Sequence, residues 1–152
     1  MKQKLLLLIV VSLFFGCRTI KDTSNNGIAF LTLEKTNCRG QCPVFSLSIF
    51  ENGLVKYTGA KNVDKIGEYE KTLSKTEIKN LKKTFAKSDF FSFENEYTGK
   101  ITDLPSTYIS FTHNGQTKKI RDYYGAPEKL KELEEILNKI AQDKDGWKKI
   151  EE

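Results

Sequence analysis

The chain has 152 residues, a formal net charge of +5, and 30% charged against 38% hydrophobic residues. That length supports one domain with a single core. Lysines alternate with glutamates along it, which describes a solvated surface and argues against a basic nucleic-acid stripe.

The first residues read MKQKLLLLIVVSLFFGC. Lys2 and Lys4 precede an apolar run from Leu5 to Phe15, broken only by Ser12. A membrane-spanning helix needs about 20 apolar residues, so the run has the length of a secretory signal core instead. A buried core helix would need a polar face, which the run lacks. Leu13-Phe14-Phe15-Gly16-Cys17 resembles the bacterial lipobox. The resemblance implies that the Cys17 thiol receives a diacylglyceryl group, that a signal peptidase cuts after Gly16, and that the new amino terminus is acylated. Phe14 and Phe15 depart from the usual Leu and small residue. Each buried acyl CH₂ contributes about 0.8 kcal/mol, so several chains anchor stably where one does not. The expected address is the bacterial cell envelope, as a membrane-anchored lipoprotein at the outer membrane facing the periplasm or the surface. Loss of Lys2 and Lys4 with residues 1–16 takes the charge from +5 to about +3. Residues 17–27 read as the lipidated cysteine and a polar tether. Residues 28–147 remain as one domain, with 148–152 as a polar tail.

Within the domain, Ile28 to Glu34 is β-rich and predicts a strand. TNCRGQCP follows as a loop, and Val44 to Phe50 predicts a second strand. Glu51-Asn52-Gly53 is a hairpin signal, with Leu54 to Gly59 returning. A three-residue loop with Gly53 left-handed pairs Ile49 with Val55 and Leu47 with Tyr57. That register alone puts Phe45, Leu47, Ile49, Val55 and Tyr57 on one face, and one residue of slip would reverse every side chain. Ile66 to Leu73 is a weaker fourth strand. Ser74-Lys75-Thr76-Glu77 is a capping box, with Leu73 and Ile78 placed as its hydrophobic staple. The helix it opens should run to about Lys87 and bury Ile78, Leu81 and Phe85. Ser88 to Phe93 supplies core aromatics, and Glu94 to Thr102 reads as a polar loop.

Thr107 to Thr112 and Gln116 to Asp122 form a second hairpin across Asn114-Gly115, where a two-residue turn pairs Ile109 with Ile120. Pro127 suits the first turn of a last helix. Leu130, Leu133, Ile136, Leu137 and Ile140 are the expected apolar face of that helix, and Trp147 should fold back onto the sheet. A strand, an Asn-Gly turn, a strand and then a helix thus occur twice, a weak internal repeat. The expected fold is α+β: a two-layer sandwich with an antiparallel sheet of about six strands and two helices on one face.

The motifs Cys38-x-Gly40-x-Cys42-Pro43-x-Phe45, Asn52-Gly53-x-Val55-x-Tyr57, Asp103-Leu104-Pro105-Ser106-Thr107 and Tyr123-Tyr124-Gly125-Ala126-Pro127 together resemble the bacterial domain-of-unknown-function family 6438, found in lipoproteins and other exported proteins. The resemblance covers about residues 28–147 and implies an envelope address and an architecture, with no catalytic residues. Other members of the family carry further cysteines before the Asp-Leu-Pro segment. Lys100-Ile101-Thr102 stands there in this chain, so a second bridge is not expected.

Cys38 and Cys42 form an even pair once Cys17 is lipidated. In an exported protein an even pair is more often a disulfide than a ligand set, and Gly40 could close the loop with a positive φ. Two alternatives stay open, a redox dithiol and a Cu(I) site of Cys38, Cys42 and His113. Cys-x-x-x-Cys-Pro with a distant histidine is similar to copper chaperones of the thioredoxin fold, although there a helix follows the cysteines and here a strand does. Tetrahedral zinc would need more soft ligands, and no cofactor is expected. Asp103 reads as an Asx turn bonded to backbone N–H groups, or as a recognition carboxylate beside Tyr123 and Tyr124. Glu68, Glu70, Glu94 and Glu96 read as solvent-facing. No catalytic constellation emerges. The expected function is a non-enzymatic binding or structural module of the envelope, with Asp103, Pro105, Tyr123, Tyr124 and Gly125 as its candidate surface. The partners expected are the membrane, through the anchor, and an envelope protein. The alternative is a thiol-redox or Cu(I)-handling protein using Cys38 and Cys42.

Overall fold

The computed structural model describes residues 27–150. The expected signal segment, Cys17 and the tether up to residue 26 lie outside the described residues, as do residues 151 and 152. Strands β1 (Leu31–Lys35), β2 (Val44–Ile49), β3 (Leu54–Lys61) and β4 (Gly67–Thr72) precede helix α1 (Lys75–Lys87). A 3₁₀ turn (Phe90–Ser92) and β5 (Glu96–Tyr97) follow. The chain then forms β6 (Thr107–His113), β7 (Gln116–Asp122), α2 (Glu128–Gln142) and β8 (Lys148–Lys149). The strands form one sheet in the order β5-β7-β6-β1-β2-β3-β4-β8.

The class is α+β, but the sheet is mixed and has eight strands, against the six antiparallel ones expected. Both additional strands are two-residue edges. β5 comes from the segment expected to be a polar loop and pairs parallel with β7. β8 comes from the expected polar tail and pairs with β4. Two residues carry no periodicity to read. Short edge strands also limit edge-to-edge pairing with other chains.

The long hairpins follow their apolar patterns. Ile49 pairs with Val55 and Leu47 with Tyr57, with Gly53 at φ 92°. Ile109 pairs with Ile120 across the Asn114-Gly115 turn. These registers place Leu31, Leu33, Phe45, Leu47, Ile49, Val55, Tyr57, Ile109, Phe111 and Ile120 on one face, all buried.

Both helices cover that face, each over its own half. One half carries the two hairpin turns. The chain enters it at Phe30, whose N–H donates to Ile49 O (3.0 Å) and whose carbonyl accepts from Thr112 N–H (2.8 Å). α1 lies over this turn half. Its cap is the expected box, Ser74 Oγ accepting from Glu77 N–H and Ser74 N–H donating to the Glu77 carboxylate. Ile78, Leu81 and Phe85 are its buried residues, and the Phe85 ring lies 5.4 Å from Phe111.

α2 lies over the opposite half, where the loops 36–43, 62–66, 98–106 and 123–127 gather. Pro127 is its N-cap with ψ 151°, one residue earlier than expected. α2 is also rotated from the expected stripe. Leu130, Leu133, Leu137, Asn138 and Ala141 are buried, while Ile136 and Ile140 are half-buried. Trp147 folds back beside Tyr57, with ring centroids 5.5 Å apart.

Candidate functional site

The three candidate segments lie far apart in sequence, and the fold brings them to one end of the sheet. The C-terminus of β1 leads into the cysteine loop. Residues 103–106 lead into the N-terminus of β6, and β7 runs out into 123–127. Since β6 pairs antiparallel with both β1 and β7, these three strand ends coincide.

Side chains tie the segments together. Thr36 N–H and Thr36 Oγ1 both donate to Ser106 O, and Ser106 N–H donates back to Thr36 Oγ1 (2.8 Å). Arg121 Nε donates to Ser106 Oγ (3.0 Å), and its Nη1 reaches Glu96 Oε1 at 2.7 Å. The Arg121 guanidinium also lies 5.3 Å from the centre of the Tyr123 ring. Tyr123 OH donates to Ile101 O (2.7 Å) and accepts from Leu104 N–H (3.4 Å), so one phenol pins both sides of the Asp103 turn. Tyr124 packs on Gly99, where a Cβ would come within 2.6 Å of Tyr124 Cδ1. Gly125 takes φ 81°, a left-handed turn that carries the chain toward α2.

Asp103 differs from the Asx-turn expectation. It takes φ 69° itself, and its carboxylate accepts from Thr102 Oγ1 (3.1 Å) and pairs with Arg39 Nε (2.9 Å). Arg39 is the middle of the cysteine loop, so this ion pair joins two motifs. Both side chains are exposed, and such a pair contributes roughly 0.2–1 kcal/mol. Ile101 (41% exposed), Leu104 (38%) and Tyr124 (51%) lie on the segments joined here. Pro105 is half-buried.

Cys38 and Cys42 stand in disulfide geometry, with Cα atoms 5.8 Å apart. The expected device for closing the loop is absent, since Gly40 does not have a positive φ. Instead its N–H donates to Cys38 Sγ (3.2 Å). Asn62 Nδ2 donates to Cys42 O (3.0 Å), tying the loop to the β3–β4 turn. His113 ends β6 at the other end of the sheet, stacked on Phe111 at 5.4 Å. The fold therefore does not bring the three atoms of the Cu(I) alternative together. Among the described residues, no group of three or more His, Cys, Asp or Glu is placed to hold a metal ion.

A family profile described as domain of unknown function (DUF6438) matches residues 29–141. The chain belongs to the DUF6438 family. No curated protein matches the chain. The DUF6438 region takes in all three motif segments that meet at this end, and it stops just before the α2 C-cap, Asp143. Arg39, Thr36, Ser106 and Arg121, which hold the segments together, carried no signal in the sequence beyond their place inside or beside the motifs.

Proposed function

We propose that this chain is an exported, lipid-anchored protein of the bacterial envelope whose domain is a non-enzymatic binding module. Its partner is an envelope protein, held through the end of the sheet formed by the cysteine loop, the Asp103 turn and the Tyr123-Tyr124 turn. The observation that carries this reading is the convergence itself. Three segments are cross-tied into one end that presents Ile101, Leu104 and Tyr124 along with an exposed Arg39–Asp103 ion pair. An apolar centre bearing an aromatic residue and rimmed by charge is the usual anatomy of a protein interface.

The motif end lies opposite the point where an anchor would join the domain. The chain enters the domain at Phe30, at the turn end. A lipid on Cys17 would then join the domain through the tether at the turn end, across the sheet from the motif end. The redox alternative rests on a different observation, the exposure of Arg39, Gly40 and Gln41 around the pair, which leaves it open to a thiol partner.

Two measurements test the proposal. Cys17→Ser should release the protein from the membrane fraction or block its processing, and a mature form without acyl chains would overturn the anchor. A photo-crosslinking residue at position 124 in native envelopes should capture one defined protein, and Leu104→Ser should abolish the product. Capture from position 113 alone would overturn the assignment of the surface. Thiol labelling of the native protein separates the redox reading, which requires a reactive fraction of Cys38 and Cys42.

A further inference from the structure

The motif half also holds a cavity of about 300 Å³ between the end of α2 and the β3–β4 turn. Pro43, next to the disulfide, forms one wall. The stacked rings of Phe45 and Tyr57, 5.4 Å apart, form its base. Asn62, Asp64 and Lys65 line it from the turn, and Lys144 lines it from beyond α2.

Tyr57 is the unusual member. The residue is 3% exposed, yet its hydroxyl has no hydrogen-bond partner among the described residues. Nor is that oxygen sealed from solvent, so it opens on the cavity that Tyr57 lines. Burial, and then the nearby Asp64 carboxylate, push its pKa up to about 12. The phenol therefore stays protonated at any physiological pH and is a fixed donor. With no partner among the described residues, this donor is satisfied by solvent and is free to exchange that water for an acceptor on a ligand. Lys65 Nζ lies 5.3 Å from the centre of the Tyr57 ring and donates to Asp143 O (3.1 Å).

The charges around the cavity have both signs. Lys65 and Lys144 would repel a simple cation, and Asp64 would repel a simple anion. A molecule carrying one charge of each sign satisfies both. We propose that this cavity binds a small zwitterion with one carboxylate and one ammonium group, of the size of a free amino acid or a dipeptide. The carboxylate accepts from Tyr57 OH and faces the two lysines. The ammonium faces Asp64. The volume lies at the small end of ligand pockets, which run from roughly 300 to 1,000 Å³. The inference uses none of Ile101, Leu104 or Tyr124, so it stands apart from the partner surface.

The test is a titration of the purified full chain with alanine, dialanine, acetate and methylammonium, followed by amide NMR shifts. Alanine or dialanine should give saturable shifts at Asn62 to Lys65, Gln142 and Lys144, with a millimolar or tighter Kd. Whichever saturates at the lower concentration identifies the size class. Tyr57→Phe keeps the ring and should weaken binding about tenfold without moving Tm. Asp64→Asn should weaken alanine binding and strengthen acetate binding. Shifts confined to other residues, shifts that do not saturate, or acetate binding as tightly as alanine would each overturn the proposal.

Discussion

The two halves of the sheet are built by different means. In the turn half, α1 is capped by its own Ser74 and Glu77 and buries an apolar stripe. Phe85, Phe90 and Phe111 meet there with ring centroids 5.4–5.9 Å apart. In the motif half, α2 has no side-chain cap. It also buries Asn138, and the side-chain oxygens Glu134 Oε1 and Asn138 Oδ1 have no partner among the described residues. The loops beneath it are joined by Thr36, Ser106, Arg121 and Tyr123 rather than by apolar packing. The turn half follows most local rules for stability, with Asp89 at φ 56° as an exception, whereas the motif half breaks several. Proteins tolerate such violations chiefly where they bind or react, which is in keeping with the surface proposed above for the motif half.

The sharpest way to break that contrast is at a glycine. Gly59 is in the motif half, opposite Phe45 and Gly67. A Cβ there would collide with the Lys65 carbonyl oxygen and lie 2.9 Å from Tyr57 Cε1. Backbone cannot yield as a side-chain tip does, so Gly59→Ala should cost about 3 kcal/mol. Gly115→Ala, in the turn half, meets open space and only the strain of φ 76°. It should cost about 1 kcal/mol. Thermal unfolding of both variants checks the order, and equal losses would mean that the two halves are equally tight.

Glu134 sharpens the comparison through pH. Burial, and then the neighbouring Asp122 carboxylate, raise its pKa to about 7, against the opposing pull of Lys35 and Lys131. The folded state therefore holds this proton more tightly than the unfolded one. Its stabilising contribution is complete below the ordinary carboxylate value of 4.5 and is lost as pH rises toward 7. Glu134→Gln keeps the side chain neutral. It should stabilise the protein above neutrality by about 2 kcal/mol, after discounting for partial exposure, and make little difference at pH 4. Urea unfolding across that range reads the effect, and a constant gain at every pH would exclude titration of Glu134 as its source.

Much of the turn half was legible because its rules are local. Only one register of each hairpin gathers the apolar residues, and Ser74-x-x-Glu77 states its own hydrogen bonds. β5 and β8 were not legible, because two residues have no period and their pairing is decided by β7 and β4. The stripe of α2 was misjudged because Ile136 and Ile140 outrank Asn138 and Ala141 in hydrophobicity, while the rotation of the helix is fixed by what it packs on. At the site, Cys38, Asp103, Tyr123 and Tyr124 stood out as motif residues. Their meeting depended on strand order, and so did Arg39 as the bridge between two motifs. Tyr57 read as a core aromatic within the Asn52-Gly53-x-Val55-x-Tyr57 motif, because nothing in the sequence distinguishes a buried ring with a satisfied hydroxyl from one whose hydroxyl faces a cavity.

The smallest effect belongs to the turn half and has the opposite pH sign. The Ser74 hydroxyl and backbone N–H at the Glu77 carboxylate hold its pKa below the ordinary value of 4.5. The folded state thus favours the ionised form. That contribution is present above the ordinary carboxylate range and is lost as pH falls through it. Ser74→Ala removes an N-cap and should cost about 1 kcal/mol at neutral pH. The loss should shrink on acidification, since the protonated Glu77 no longer completes the box. Glu134→Gln and Ser74→Ala should therefore diverge on a single axis, the first gaining with rising pH and the second losing. If Ser74→Ala instead cost the same at pH 3 as at pH 7, the hydroxyl would be acting as a neutral cap alone, without coupling to the charge of Glu77.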